Sequence, residues 1–365
     1  METPAPPGDS LPFALVRKGL LMEPEPDNPL EAEGVLNPAT ARARDGSIYV
    51  YPRLVARGNV SRIGRARLLV TDGQPVGVER DGVALEPSRG WEHGRHHGGV
   101  EDPRITFIPG LGAHVMAYVA FGPIGPRPAL AVSQDGRDWR RLGPILFDYD
   151  DGLDTDLNLF PNKDVVFFPD LVPGPDGRPS YAVLHRPMWD DLSYLRPDEP
   201  PPLPAGLADV RPGIWISYVD ADLVARDLTA LTHLRNHRLV ALPEQPWESL
   251  KIGAGPAPLR IPEGWLLIYH GVEGQIDGGS FVAQTKVRYV AAAMLLDPDD
   301  PARVIARTTR PLLEPVSPDE VVGTVGNVVF PTAIEEIAGR RYVLYGMADS
   351  KIGVAELVGR DESGS

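Results

Sequence analysis

Hydrophobic residues alternate with polar or small residues in five stretches of this chain, and each stretch continues through a turn into a second apolar run. The stretches begin near Ser47, His114, Ser180, Trp265 and Arg341. Alternation with a period of two is typical of a β-strand, and a turn between two such runs predicts a hairpin. The starts lie between about 66 and 85 residues apart, close to the roughly 73 residues that division of the chain by five gives. The pattern predicts five repeated units.

A repeat of this length is typical of an elaborated four-stranded propeller blade. We therefore expect an all-β fold, a five-bladed β-propeller, built by one domain over residues 21–357. Residues 1–20 are expected to form a partly disordered N-terminal extension and residues 358–365 a disordered tail. Residues 187–212 are rich in proline and are interpreted as a loop insertion, either a passive excursion or part of the rim of a central pocket.

Composition favours short strands and turns over long helices. The chain has 38 glycines and 40 prolines, together about a fifth of its 365 residues, against roughly 12% in average proteins. Inside a helix, Gly costs about 1 kcal/mol and Pro about 3 kcal/mol relative to Ala. Helices of ordinary length therefore have little room.

The charge balance and the absence of cysteine exclude several classes of function. Lys and Arg number 36 against 50 Asp and Glu, a net charge of −14, and there is no Cys. Such a chain is repelled by nucleic acid and by anionic membranes. Disulfides, thiolate metal sites and a Cys nucleophile are excluded. We find neither a signal-peptide pattern nor an apolar run of membrane-spanning length, and we expect a cytoplasmic protein.

Charged residues interrupt the repeats at corresponding points, and such violations of a pattern are typical of functional sites. Between the first two stretches, Glu101 and Asp102 precede Pro103 and Arg104. Proline should hold the preceding Asp102 extended, and an Arg two positions on can pair with a carboxylate or bind an anion. Spacing alone leaves open an ion pair that only stabilises the sheet. The corresponding clusters elsewhere are Asn162–Lys163–Asp164 with His185–Arg186, Lys251 with His270, and Asp349.

In a radial fold these clusters converge near the axis, where charge is costly to desolvate unless a ligand binds. The clusters contain both positive and negative charges. An anion with attached hydroxyl groups would use both, with phosphate on the cations and sugar hydroxyls on the carboxylates. Ion pairs between blades are the alternative. The expected cations are Arg104, Lys163, Arg186, Lys251 and a protonated His270, and the carboxylates are Glu101, Asp102, Asp164 and Asp349.

Two further motifs suggest metals weakly. His93, His96 and His97 lie in one glycine-rich segment, and residues 148–156 have the composition of a calcium loop. The first has no identifiable further ligand, and the second lacks EF-hand spacing and its closing Glu. A solvated loop and a solvated acidic turn are the simpler interpretations, so we assign no metal site.

At the charged clusters the chain resembles the mannoside phosphorylases and mannosidases of glycoside hydrolase family 130, from about residue 37 to residue 357. The resemblance rests on Asn37-Pro38-Ala39, Glu101-Asp102-Pro103-Arg104, Asn162-Lys163-Asp164, Leu184-His185-Arg186-Pro187, Lys251-Ile252-Gly253-Ala254-Gly255, Tyr269-His270-Gly271, Asn327-Val328-Val329-Phe330-Pro331 and Tyr345-Gly346-Met347-Ala348-Asp349-Ser350.

This resemblance implies a five-bladed β-propeller and an inverting phosphorylase. Such an enzyme cleaves β-1,4- or β-1,2-linked manno-disaccharides or oligosaccharides with inorganic phosphate and yields α-mannose 1-phosphate. It implies that Asp102 is the general acid, acting through a hydroxyl of the bound mannose. Inverting hydrolases instead use a second carboxylate to activate water, whereas phosphate is already a nucleophile and needs to be held in line.

The resemblance also implies which residues bind the two substrates. Phosphate ligands would be Arg127, Arg186, Lys251 and His270, and mannosyl ligands Asn37, Arg53 and Asp349. We place Glu101, Arg104, Lys163, Asp164 and His185 with the substrate-binding residues.

Phosphorolysis is favoured over hydrolysis because hydrolytic members lose the cations, and Lys251 and His270 are present here. A β-mannoside hydrolase remains the alternative within the family, and a carbohydrate-binding propeller without activity, or a protein-binding scaffold, the alternative outside it. The expected partners are a β-mannoside and phosphate as co-substrate, without cofactor, nucleic acid or membrane. Assembly of identical subunits stays open.

Overall fold

A computed structural model describes residues 11–94, 97–189, 203–277 and 284–359. Within these ranges nearly all regular structure is β-strand. The strands are β1 (Phe13–Met22), β2 (Gly34–Arg42), β3 (Ile48–Ala56), β4 (Val60–Thr71), β5 (Gln74–Leu85), β6 (Gly98–Ile108), β7 (Ala113–Gly122), β8 (Gly125–Ser133), β9 (Arg140–Pro144), β10 (Leu146–Phe147), β11 (Asn162–Phe167), β12 (Val172–Pro173), β13 (Pro179–Pro187), β14 (Ile214–Asp220), β15 (His233–Ala241), β16 (Lys251–Ala254), β17 (Leu259–Ile261), β18 (Gly264–Gln275), β19 (Lys286–Leu296), β20 (Val304–Arg307), β21 (Val329–Ile337), β22 (Arg340–Met347) and β23 (Lys351–Gly359).

Helices in the described ranges are short, and none is long and apolar enough to span a membrane. The α-helices are Ala221–Arg226 and Pro318–Val321, and the 3-10 helices are Pro29–Glu31, Pro109–Leu111, Leu157–Leu159, Leu228–Thr232 and Pro246–Glu248. Proline at the first turn of four of these elements suits a helix start and cannot support a long helix interior. The fold is all-β, as predicted.

The strands form antiparallel meanders in chain order. The first meander is β2 to β5, the second β6 to β9, the third β11 with β13 to β15, the fourth β16 with β18 to β20, and the fifth β21 to β23 with β1. The first two belong to one sheet because β4 and β6 form two parallel residue pairs, Val60 with Gly98 and Ser61 with Gly99. Each of the five predicted stretches coincides with the middle hairpin of one meander.

The N-terminal boundary is corrected by β1, which starts at Phe13 and pairs with β23 from Gly359 to Ile352. Residues 13–20 therefore complete the fifth meander and are not a separate extension, because their main-chain groups are satisfied by the last strand of the chain. At the other end, β23 continues to Gly359, two residues into the predicted tail. Residues 1–10 and 360–365, and residues 190–202, half of the predicted loop insertion, lie outside the described residues.

Hydrophobic side chains lie between the meanders and join them in a ring. In β13, Tyr181 and Val183 pack toward the second meander, while Ala182 and Leu184 pack toward the fourth. This period-two alternation with both faces buried is what a strand between two sheets requires. The remaining core clusters join the fourth meander to the fifth, the fifth to the first and the first to the second.

One cavity of about 540 Å³ is lined by residues from all five meanders. Its lining comes from β2, β6 and β21 and from the residues that follow β11 and β16. These are residues 40–42, 105–107, 334–335, 169 and 257–258. We call the first strands of the five meanders, β2, β6, β11, β16 and β21, the innermost strands. Asn37, Asp102, Asp164 and Lys251 lie nearer the N-terminal ends of four of them, away from this cavity.

Candidate active site

Three of the innermost strands bulge at the same point, and the bulged residue has a left-handed backbone. These residues are Asn37 with φ 44°, Asp102 with φ 47° and Asp164 with φ 57°, each at a register shift in its strand. Among residues other than Gly, Asn and Asp visit this conformation most readily. The expectation of an extended Asp102 before Pro103 is wrong, because the bulge turns the chain there and redirects the side chain.

The neighbouring second strands place further side chains at an equivalent level. Arg53 pairs with Leu36, Arg186 with Lys163, and His270 with Gly253 across the ladder from the bulge region. The corresponding residues of the second and fifth meanders are Val119 and Gly346. The repeat thus brings polar groups that are distant in sequence to one end of the ring, as the sequence predicted.

Asp102 lies in a buried network with one amide and two cations. Its Oδ1 accepts hydrogen bonds from Nδ2 of Asn37 at 2.8 Å and from Nη1 of Arg53 at 3.2 Å. Arg53 also donates from Nη2 to Oε1 of Glu101 at 3.0 Å, and Nζ of Lys163 lies 3.8 Å from the other oxygen of Glu101. Burial alone would raise the pKa of the Asp102 carboxyl, but Arg53, Lys163 and Asn37 hold it below its usual value. Asp102 is therefore ionised in the unliganded site at neutral pH.

The pKa of Asp349 is shifted in the opposite direction to that of Asp102. Asp349 follows β22 in a left-handed turn with φ 48°. Burial raises its pKa to about 6, since the attraction of Arg53 does not offset desolvation and the repulsion of Asp102 and Glu101. Two nearby carboxyls whose pKa values are pushed apart are typical of sites that perform acid–base chemistry.

A second network surrounds Asp164. Its Oδ1 accepts from Nη2 of Arg104 at 3.1 Å and its Oδ2 from Nε of Arg186 at 2.5 Å. Nε2 of His270 lies 3.7 Å from the same Oδ2. Burial opposes ionisation, yet Arg186 and Arg104 hold the pKa of Asp164 far below its usual value. Asp164 is thus a fixed anion that orients cations.

Beside Asp164, three buried nitrogens have no hydrogen-bond partner among the described residues. They are Nη1 of Arg186 and both ring nitrogens of His270. Buried polar atoms are almost always bonded, so an orphaned group of this kind points to a ligand. Burial, with Arg186, Arg104 and Lys251 nearby, lowers the pKa of His270 to about 3 against the attraction of Asp164. The expectation of a protonated His270 is therefore wrong, and the ring offers one N–H to a ligand rather than a charge.

Aromatic rings hold His270 and lead to Lys251. The His270 ring centroid lies 4.5 Å from that of Phe330 and 6.1 Å from that of Tyr289, with which it is stacked. Nζ of Lys251 lies 5.6 Å from the Tyr289 centroid. Sequence reasoning missed both aromatic residues. Phe330 was part of a recognised motif, but its apolar side chain suggested no chemistry.

Three residues that were predicted to bind a substrate are not among those with unbonded nitrogens. Arg104 is buried, and its Nε and Nη2 donate to the main-chain oxygens of Gly255 and Ala254, so it joins β6 to the fourth meander. His185 is fully buried with ring nitrogens bonded to Asn162 and Ser217, so it cannot contact substrate. Arg127, on β8, donates to the main-chain oxygen of Phe160, shortly before β11 begins.

The absence of a side chain at two glycines makes room for side chains of the site. A Cβ on Gly253 would lie 2.2 Å from Oδ2 of Asp164 and 2.5 Å from Cε1 of His270. A Cβ on Gly346 would lie 2.2 Å from Oδ1 of Asn37. No side chain fits at either position without displacing a site residue.

The geometry divides the site into two adjoining halves. One contains Asn37, Arg53, Asp102 and Asp349 and offers charged hydrogen-bonding groups of both signs to hydroxyls. The other contains Arg186, Lys251 and His270 and offers donors to an anion. Adjacent residues of β11, Lys163 and Asp164, link them. Such a site can hold an anionic nucleophile beside a polyol and a carboxyl group.

Comparison with known proteins gives consistent matches across the chain. A family model described as beta-1,4-mannooligosaccharide phosphorylase, of glycoside hydrolase family 130, matches residues 23–361. A 1,2-beta-oligomannan phosphorylase of Thermoanaerobacter sp. strain X514 is 30% identical over 94% of this chain and 96% of its own length. A beta-1,2-mannobiose phosphorylase of the same strain is 32% identical over 76% of this chain and 74% of its own.

A solved structure has the same fold. The beta-1,2-mannobiose phosphorylase of Listeria innocua, in complex with beta-1,2-mannobiose, superposes with a TM-score of 0.66 at 22% identity and covers 96% of this chain and 97% of its own.

Proposed function

The chain belongs to glycoside hydrolase family 130, and on that premise we propose that it cleaves β-mannosides with inorganic phosphate and releases α-mannose 1-phosphate with inversion. The enzyme is a glycoside phosphorylase. Its substrates are β-1,2- or β-1,4-linked manno-disaccharides or oligosaccharides, since the relatives are named for the first linkage and the family description for the second.

The orphaned nitrogens of Arg186 and His270 beside Lys251 carry this proposal. Guanidinium, ammonium and imidazole N–H groups are the donors that recognise phosphate. They lie in the same end of the ring as the network of Asp102, so a phosphate held there would be close to the sugar. Arg127 is proposed as a further phosphate ligand from the side of β8.

In the proposed reaction, a phosphate oxygen attacks C1 of the terminal mannosyl residue as the glycosidic C–O bond breaks. The leaving oxygen keeps the electron pair of that bond and takes a proton. We propose that this proton comes from Asp102 through a mannose hydroxyl. Since the pKa of Asp102 is depressed, Asp102 must gain the proton in the bound complex. Asp349, with a pKa of about 6, is a neighbouring carboxyl that still carries a proton at mildly acidic pH.

The remaining site residues are proposed to bind or orient the mannosyl group. Asn37 has a buried Oδ1 without a partner, which suits a sugar hydroxyl. Glu101 and Lys163 hold Arg53 and the acid in place. Inorganic phosphate is the co-substrate, and the reaction as proposed uses no metal or organic cofactor. A run in the presence of a chelator tests that part.

We also propose that the five meanders are the blades of a five-bladed β-propeller. Support comes from the core clusters, which join each meander to the next and the fifth to the first, and from the cavity that residues of all five meanders line. One catalytic domain and a cytoplasmic location belong to the same proposal.

Synthesis in reverse tests the proposed function. The protein is incubated with α-mannose 1-phosphate and a panel of acceptors, namely mannose, glucose, N-acetylglucosamine and β-mannobioses, and phosphate release is measured. We expect phosphate release with at least one acceptor, and a rate lowered by about three orders of magnitude or more with Asp102→Asn. Absence of release with every acceptor would overturn the proposal.

A further inference from the structure

Three of the meanders each contain, just beneath the site, a buried Glu and a buried Tyr that are bonded to a more exposed Arg. The tyrosine is the residue immediately before the site level on the second strand, and the arginine comes from the fourth strand. The clusters are Tyr118 with Glu92 and Arg141, Tyr269 with Glu248 and Arg307, and Tyr345 with Glu320 and Arg17. In each, one carboxylate oxygen accepts from both partners, so the cluster ties the outer strand to the inner ones.

The third meander differs at this level. The residue before Arg186 is His185, and its ring nitrogens lie 3.0 Å from Nδ2 of Asn162 and 2.8 Å from Oγ of Ser217. Ser217 Oγ lies 2.8 Å from Nδ1 of His237, on the fourth strand, whose Nε2 lies 2.8 Å from the main-chain oxygen of Asp148. All four side chains are buried. Uncharged groups thus replace the charged cluster next to Arg186.

The side chains of Asn162, His185, Ser217 and His237 form a hydrogen-bond chain. The direction of every bond in it follows from the bond at the His237 end. A carbonyl oxygen only accepts, so Nε2 of His237 donates to Asp148. Burial lowers the pKa of His237 and of His185, so both rings are neutral and Nδ1 of His237 accepts from the hydroxyl of Ser217. Ser217 then accepts from Nε2 of His185, whose Nδ1 must accept from the amide of Asn162. The amide orientation of Asn162 is fixed, and its Oδ1 accepts the main-chain N–H of Arg186 at 3.1 Å.

Packing also holds the two imidazole rings in place. The Phe147 ring centroid lies 4.9 Å from that of His185 and 5.6 Å from that of His237. Neither imidazole can turn over without losing two hydrogen bonds and this packing. The Asn162 amide therefore has one available orientation.

We propose that the hydrogen-bond chain Asn162–His185–Ser217–His237 positions the Arg186 side chain to bind phosphate. Asn162 begins β11, and its side chain holds the Arg186 backbone, which pairs with Lys163 across the ladder. Loss of the chain leaves Asn162 able to rotate, and the Arg186 guanidinium is then less well aimed at an anion. This inference rests on the proposed function for its kinetic consequence, while the hydrogen-bond directions stand independently of it.

Kinetics of Ser217→Ala provide the first test. This substitution removes both central hydrogen bonds, and we expect the KM for phosphate to rise at least fivefold while the KM for the mannoside stays within twofold. Tyr345→Phe is the matched control, since it removes a buried hydrogen bond at the equivalent level of the fifth meander, where Gly346 follows. If both variants lose stability and neither changes the KM for phosphate, the chain is only structural and the proposal is overturned.

A second pair of variants tests the proposal even if Ser217→Ala does not fold. Gln at position 237 can accept from Ser217 with its oxygen and donate to Asp148 with its nitrogen, so His237→Gln should keep the KM for phosphate within twofold. His237→Leu should raise it as Ser217→Ala does. Equal values for the two variants would contradict the proposal.

Nitrogen NMR of histidine-labelled protein tests the directions without any activity. The signals of His185 and His237 are assigned by substituting each histidine singly, and we expect them to show neutral rings with the proton on Nε2 between pH 6 and pH 8. A proton on Nδ1 of either ring would overturn the proposed chain. If the wild type shows no phosphate-dependent cleavage, the proposed function fails, while this experiment still decides the hydrogen-bond chain.

Discussion

Asn37 and Asp102, on the innermost strands of neighbouring meanders, are joined by a hydrogen bond of 2.8 Å from Nδ2 of Asn37 to Oδ1 of Asp102. Both residues have a left-handed backbone, so two bulges are needed to bring the side chains together. The bond occupies Oδ1 of Asp102, while Oδ1 of Asn37 is buried without a partner among the described residues. The pair is therefore built for a third group, and a sugar hydroxyl has the required donor.

Asp102→Asn should lower the rate of β-mannoside cleavage by about three orders of magnitude or more, because positioned acid catalysis contributes roughly 10²- to 10⁴-fold. Steady-state kinetics with a β-mannobiose and phosphate measure the change. Asp154→Asn is the matched control, an exposed aspartate with the same left-handed φ of 47°, and should retain wild-type activity. Activity of Asp102→Asn within tenfold of the wild type would remove this residue from the role.

Arg186→Lys should raise the KM for phosphate about tenfold or more. Lysine keeps the charge but loses the fork that bonds Asp164 with Nε and leaves Nη1 for an anion. The KM for phosphate is measured at saturating mannoside. Arg178→Lys, an exposed change just before the same strand, is the control. An unchanged KM in Arg186→Lys would show that phosphate binds elsewhere.

Gly346→Ala should abolish most activity while the protein stays folded. The added methyl group would lie 2.2 Å from Oδ1 of Asn37, so Asn37 must shift and its bond to Asp102 is lost. Gly77→Ala is the control, since a Cβ there meets nothing within 4 Å. Circular dichroism and kinetics are compared for both variants. An active Gly346→Ala would mean that the Asn37–Asp102 contact is dispensable.

Asp349→Asn should stabilise the protein at pH 7.5 but not at pH 4. The folded pKa of about 6 lies above the unfolded value of about 3.8, so the unfolded carboxyl ionises first as pH rises. Above pH 6 the folded protein carries a half-buried carboxylate near Asp102 and Glu101, which costs up to roughly 3 kcal/mol of stability. Urea unfolding at the two pH values measures the difference. Equal stability of wild type and variant at pH 7.5 would place Asp349 in a well-solvated environment.

Repetition made the fold predictable from the sequence. Each meander repeats the same alternation, so the hairpins beginning near Ser47 and Trp265 were visible without any contact information. The partner of β1 was not visible, because pairing of Phe13–Met22 with Lys351–Gly359 joins opposite ends of the chain. Local composition at the N-terminus suggested disorder, and long-range pairing overrode it.

The site was predictable in its residue types but less so in their roles. Charged groups at corresponding points of the repeats did converge, Arg186 with Asp164 and Arg53 with Asp102. Which groups face a ligand depends on bulges and packing that no spacing records. His185 stands next to Arg186 in sequence, yet it is bonded away from the site by Ser217.

Phosphate dependence of β-mannobiose cleavage tests the central claim most directly. The protein is incubated with β-1,2- and β-1,4-mannobiose, with and without inorganic phosphate, and products are followed by phosphorus NMR and by assay of free mannose. We predict α-mannose 1-phosphate and one mannose per disaccharide cleaved, and no cleavage without phosphate. Release of two mannose molecules per disaccharide at the same rate in both buffers would contradict phosphorolysis and identify a hydrolase.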